Sequence, residues 1–129
     1  MKSKKGFTLV ELMIVMVIIG ILLSLLLPGV FSARQEALKT QTASNLRQCG
    51  IGLYAYAKNN GGDLPATLAT LETDGYITDD TVFADSAGTA FTFTAASGDL
   101  YAMDSTDVLI TDAGTSYELR ADGSVNTSP

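Results

Sequence analysis

At 129 residues the chain has room for one small domain, and 14 acids against 8 Lys/Arg give it a formal charge of −6. That balance repels nucleic-acid phosphate, so no nucleic-acid partner is expected. With no His and a single Cys, the chain can build neither a Ser-His or Cys-His nucleophile pair nor an intramolecular disulfide, and no Gly-rich phosphate loop or Cys/His metal spacing offers another route to catalysis.

The first six residues, Met1 to Gly6, carry Lys2, Lys4 and Lys5 and have no apolar core. A standard secretory signal places its apolar segment ahead of the cleavage site; here the apolar run follows, from Phe7 to Leu27. At a rise of about 1.5 Å per residue that run covers about 30 Å, the hydrocarbon thickness of a bilayer. It is apolar on every face, with Leu12, Met13, Ile14, Val15, Met16, Val17, Ile18 and Ile19 in succession. Such a helix suits lipid, and in water it needs burial by copies of itself. The three flanking lysines favour a cytoplasmic leader and a translocated C-terminus.

One residue in the run is out of place. Glu11 sits in its first turns, and burying an unpaired carboxylate in hydrocarbon costs about 2.5 kcal/mol or more, so a partner is required. The ordered residues Lys5-Gly6-Phe7-Thr8-Leu9-Val10-Glu11 ahead of the apolar run resemble the processing site of type IV prepilins and of the pseudopilins of type II secretion. The resemblance implies that a membrane-bound prepilin peptidase cuts after Gly6, that Phe7 becomes an N-methylated terminus, and that Glu11 meets the terminal amine of a neighbouring subunit in a filament. It also implies an inner-membrane assembly platform and minor pilins or pseudopilins as partners. The localisation that follows is the bacterial inner membrane, crossed once, with the C-terminus exported to the periplasm and then carried into a pseudopilus or surface pilus.

Gly20 and Pro28 interrupt the run. Glycine raises the entropic cost of helix, and Pro28 lacks an N–H and crowds the carbonyl of Ser24, so a kink or loosened segment is expected between them. In type IV pilins, which the chain resembles, a Gly and a Pro at matching places bracket a stretch that loses helicity in the filament.

From Phe31 to Asn60 the pattern turns amphipathic. Leu46, Cys49, Gly50, Leu53, Tyr54 and Ala57 recur at intervals of three and four, while Arg34, Glu36, Lys39, Arg47 and Lys58 lie largely off that stripe, which predicts a helix packed against a small domain. Asn59-Asn60-Gly61-Gly62 is the expected stop. A short helix is expected over Leu64–Glu72, with Pro65 in its first turn. Strands are expected at Thr89–Thr94, Leu100–Met103, Asp107–Thr111 and Ser116–Arg120, with a stub at Ser124–Asn126. Turn residues separate them at Ser97-Gly98-Asp99, Asp112-Ala113-Gly114-Thr115 and Asp122-Gly123. Strands this close in sequence pair antiparallel.

The fold class is therefore α+β, a long bent N-terminal helix on a small antiparallel sheet, which is the pilin fold that the resemblance implies. Its expected divisions are a leader at 1–6, a transmembrane and assembly helix at 7–28, the amphipathic half of the helix at 29–62, and a short helix plus sheet at 63–129. The match is specific over the N-terminal quarter and loose beyond it. Leu64–Ile77 resembles the loop that follows the long helix in major pseudopilins. Asn45-Leu46-Arg47-Gln48, with Gly50 and Leu53-Tyr54-Ala55-Tyr56-Ala57, resembles the amphipathic segment of large prepilin families whose members often end with a His ahead of an Asp-Gly pair. Here Asp122-Gly123 is present, and Asp112 stands where that His would be.

Removing Lys2, Lys4 and Lys5 with the leader leaves five cations against 14 acids, a charge of −9 on the mature chain. Cys49 reads as a small buried hydrophobe on the stripe, with an intersubunit disulfide as the sharper alternative. No cofactor is expected. Asp99, Asp104, Asp107 and Asp112 could supply oxygen ligands to Ca²⁺ in the loops, as major pseudopilins often do, although they lack the spacing of a twelve-residue calcium loop and loop aspartates commonly serve turns. The function expected is a structural subunit that polymerises through its N-terminal helix into a type II secretion pseudopilus or a type IV pilus. The alternative is a static membrane-anchored module whose acidic domain binds a ligand.

Overall fold

The computed structural model describes residues 5–95, 98–114 and 116–127. Lys2 and Lys4 of the leader, Ser97 of the first expected turn and Thr115 of the second lie outside the described residues. The chain falls into two compact units, Met1–Ala37 and Leu38–Pro129.

Helix α1 runs Leu9–Asn59, continuous through Gly20 and Pro28. The Ser32 hydroxyl donates back to the Pro28 carbonyl at 3.4 Å and to the Gly29 carbonyl at 3.1 Å, and Ser24 donates to Ile21 at 2.7 Å. These are local hydroxyl bonds of the kind that support or bend a helix around a proline. Every described residue from Lys5 to Gln41 is exposed. The helix is long and apolar enough near its N-terminus to cross a membrane.

Within the second unit the stripe on α1 becomes a core. Thr42, Leu46, Cys49, Gly50, Gly52, Leu53 and Ala57 are buried, and Leu46, Cys49, Leu53 and Ala57 share a core cluster with Leu71, Ile77, Val82, Leu100, Leu109, Ile110 and Leu119. Tyr54, expected on the stripe, lies at its edge, 36 % exposed as a residue, and its hydroxyl donates to the Ala121 carbonyl. Tyr56 stacks edge-on against Tyr76, with ring centroids 5.6 Å apart. The helix stops where expected. Gly61 and Gly62 take positive φ of 72° and 109°, and the Gly62 N–H reaches back to the Ala57 carbonyl at 2.8 Å, satisfying a last-turn acceptor through a backbone conformation open to glycine.

Four strands follow: β1 (Thr92–Phe93), β2 (Val108–Thr111), β3 (Tyr117–Arg120) and β4 (Val125–Thr127). They form an antiparallel meander in the order β1-β2-β3-β4, with Phe93 opposite Ile110, Ile110 opposite Leu119 and Leu119 opposite Val125. The β2–β3 register slips between Val108 and Ile110. This irregularity explains how two successive residues, Leu109 and Ile110, are both fully buried in a strand whose side chains would otherwise alternate. Long helix plus antiparallel sheet is the expected α+β pilin-like arrangement.

Two expected elements are corrected. Leu100–Met103 is not a strand, because Leu100–Ala102 forms a 3-10 turn that Asp99 starts by accepting the Tyr101 N–H at 2.9 Å. An Asx cap on the preceding residue outweighs the strand preference of a short apolar run. The short helix, α2, spans only Ala69–Thr73. Leu64 is held before it by a bond from its N–H to the Gly98 carbonyl at 2.8 Å, beside a bridge between Asp63 and Asp99. A further 3-10 turn at Asp80–Phe83 begins at Asp79, whose carboxylate accepts from the N–H and hydroxyl of Thr81.

Candidate functional site

The residues singled out at the N-terminus lie at or just before the start of α1. Gly6 and Phe7 precede it and are exposed, Phe7 at 79 %. Thr8 caps the helix: the Glu11 N–H donates to the Thr8 hydroxyl at 3.3 Å, and the Thr8 N–H donates to a Glu11 carboxylate oxygen at 3.0 Å. This is a reciprocal capping box. It satisfies two of the donors that a helix start leaves open, and it places a negative charge at the positive end of the helix dipole. The role of Thr8 was missed in reading the sequence, although its signal, Thr-x-x-Glu ahead of an apolar run, was in view.

Among the described residues the box gives Glu11 one local donor, the Thr8 N–H, and no counter-charge. A carboxylate offers about four acceptor positions, and one amide N–H neutralises none of the charge. The arrangement therefore holds an anion, oriented by its own helix, at the edge of an exposed apolar surface. Leu9, Val10, Leu12, Met13 and Ile14 surround it in sequence, each more than half exposed.

The other candidates scatter. Asp99 caps the 3-10 turn, Asp107 accepts the Asp104 N–H at 3.0 Å, and Asp112 accepts the Gly114 N–H at 3.1 Å. Among the described residues no group of three acids, histidines or cysteines is placed to hold a metal ion. These aspartates accept backbone N–H groups in turns.

Cys49 is fully buried. Its thiol donates to the Val82 carbonyl at 3.3 Å, and burial pushes its pKa from 9.0 up to about 12. A thiol held protonated is a poor nucleophile. In the native chain at pH 8, alkylation of Cys49 by iodoacetamide is expected to be at least about a hundredfold slower than in denaturant; equal rates would place the thiol at the surface. The unfolded thiol ionises above pH 9 while the native one does not, so this group's contribution is fully present below pH 9 and is lost as pH rises towards 12.

Two polar bonds tie α1 to the loop before β1. Asn45 donates to the Ala84 carbonyl at 2.9 Å, and the Ser86 N–H donates to the Thr42 hydroxyl at 3.1 Å.

Residues 1–27 match the prokaryotic N-terminal methylation motif. The ComG operon protein 3 homolog of Bacillus licheniformis is 35% identical over 75 residues, 58% of this chain and 76% of that protein. Competence protein ComGC of Bacillus subtilis is 35% identical over 80 residues, 62% of this chain and 81% of its own length. Type II secretion system core protein G of Pseudomonas aeruginosa is 35% identical over 71 residues, 55% of this chain and 49% of that protein. No solved structure matches the chain significantly.

Proposed function

The chain belongs to the family of prepilin-type filament subunits that includes the ComGC competence proteins, and on that premise we propose how it passes from membrane precursor to polymer. It is a structural, pilin-like subunit, and the members of its family serve as filament components rather than enzymes. The observation that carries the reading is the coincidence of the methylation motif with the exposed apolar half of α1, since the segment that the motif marks for processing is also the surface that needs burial.

The peptidase cuts between Gly6 and Phe7, and Phe7 is then methylated on its new amine. Lys2, Lys4 and Lys5 keep the leader cytoplasmic while the acidic domain is exported. In the bilayer, lipid covers α1; in the filament, other copies of α1 do. Glu11 pairs with the Phe7 amine of a neighbour, which sets the axial step because a subunit out of register buries an unpaired charge. The helix between Gly20 and Pro28 is intact in the single chain and is the stretch where neighbours can loosen it. Similarity to competence proteins and to a type II secretion core protein supports two filament classes, a competence-type pilus and a secretion pseudopilus.

The test is a mass spectrum of the mature N-terminus in material sheared from intact cells of the native host. Methylated Phe7 in that fraction is the expected result for a surface pilus. Processed protein confined to the envelope would assign the pseudopilus class, and an uncleaved Met1 would overturn the reading in favour of a static anchor.

A further inference from the structure

The charges of the second unit are segregated. From Leu38 to Asn59, α1 carries Lys39, Arg47 and Lys58 and no acid, whereas residues 60–129 carry 12 acids and one cation, Arg120. Arg120 is taken by Glu118 at 2.6 Å, while Arg47 and Lys58 have no carboxylate within ion-pair reach among the described residues. Arg47, Ile51, Tyr54 and Lys58 are spaced by four, three and four, so they share one helix face. Ile51 on that face is 70 % exposed, and it forms a wall common to two grooves. One is lined with Arg47, Gly50, Tyr54 and Gly123, the other with Gln48, Tyr76, Ile77 and Asp79. Ile51 and Tyr54 beside Arg47 bring together an apolar side chain and the Tyr and Arg types enriched at protein interfaces.

The complementary surface is on the same chain. Glu72, Asp74, Asp79 and Asp80 place four carboxylates within nine residues, all exposed and with no cation among them. We propose that the Arg47–Ile51–Tyr54–Lys58 face docks against the Glu72–Asp80 segment of a second copy of this chain. Asp79 of the acidic segment borders the groove that Ile51 walls; in the filament each copy engages one patch per neighbour, a head-to-tail contact that leaves a free face of each kind, whereas pairing both patches reciprocally would close a dimer. The cations give orientation and Ile51 gives apolar burial. The inference rests on the filament reading and assigns the contact between exported domains within it.

The experiment compares sheared filament from full-length variants expressed in the native host in place of the chromosomal copy. Arg47→Glu with Lys58→Glu sets like charges against each other and is expected to lower filament about tenfold or more. Adding Asp74→Lys and Asp80→Lys to that variant is expected to restore filament to within about threefold of wild type. Ile51→Ser, which leaves charge unchanged, is expected to lower it without altering the unfolding transition. Wild-type filament from the doubly reversed helix face, or no recovery on reversing the acids, overturns the proposal and leaves the filament reading standing. Normal filaments that lose retention of duplex DNA would also overturn it and assign the cations to nucleic acid. Absence of filament from the wild-type chain would remove the filament reading itself, and the proposal with it.

Discussion

Replacing Glu11 with valine is expected to leave the precursor inserted and cleaved after Gly6 and to remove the mature chain from filaments. Two contributions are lost together. The capping box with Thr8 is a helix-end contribution of about 1 kcal/mol, too small to unfold a 51-residue apolar helix. The second is the counter-charge to a neighbour's terminal amine. Breaking a buried pair by removing one partner costs about 3–5 kcal/mol, because the remaining charge stays buried and unpaired. At about 1.4 kcal/mol per factor of ten, that lowers incorporation by at least about a hundredfold.

Glu11→Gln separates the two contributions. Glutamine is itself a capping-box residue, so its amide oxygen can still accept the Thr8 N–H while carrying no charge. If charge pairing decides incorporation, Gln and Val fail alike. If the cap decides it, Gln assembles and Thr8→Val, which keeps the carboxylate and removes the capping hydroxyl, does not. Quantifying sheared filament and membrane-bound mature chain for all three variants distinguishes these outcomes. Normal filaments from both Glu11 variants would remove the pairing mechanism.

What could be read from the sequence depended on the range of the interaction that fixes each element. The apolar run and the Glu within it are one-dimensional signals, and so is the stop at Asn59-Asn60-Gly61-Gly62. The stripe at Leu46, Cys49, Leu53 and Ala57 was visible because helical spacing alone puts those residues on one face. Leu100–Ala102 and Leu64–Leu68 could not be placed that way. Both are fixed across the chain, by Leu64 bonding to Gly98 and Leu100 to Gly62 at 2.8 Å each, and local propensity is silent about partners more than thirty residues away. Gly52 was missed for a related reason. A Cβ there would lie 2.7 Å from Ile77, so the residue is small because of a neighbour that periodicity does not reveal. At the candidate site, the charge of Glu11 attracted the reading, and the hydroxyl that holds it three residues earlier did not.

Leu53→Ala is expected to cost the domain about 3–4 kcal/mol, near the upper part of the range for a buried leucine. Leu53 is 0 % exposed, and the buried positions around it on α1 are small: Cys49, Gly50, Gly52 and Ala57. Leu46 and Leu53 are therefore the two large aliphatic side chains that the helix contributes to the core. Small neighbours have little to collapse into the hole, and Gly50 and Gly52 already sit close against Leu119 and Ile77, so the cavity persists and its cost is retained. A domain of this size has about 5–10 kcal/mol in total, and the expected fall in unfolding midpoint is about 15 °C or more. All five tyrosines lie between Tyr54 and Tyr117, so the tyrosine band of the near-ultraviolet circular dichroism of the full chain in detergent reports on the domain and not on the apolar half of α1. Ile51→Ala, two residues away on the exposed face, is the contrasting variant and is expected to shift stability by less than about 0.5 kcal/mol. Similar midpoints for Leu53→Ala and wild type would mean that the helix does not pack on the sheet as described. The opposite ranking is expected for filament yield per folded chain: Ile51→Ala should lower it, while Leu53→Ala should act only through the fraction folded. A core residue and a docking residue separated by half a helical turn can then be told apart by which of the two measurements each one moves.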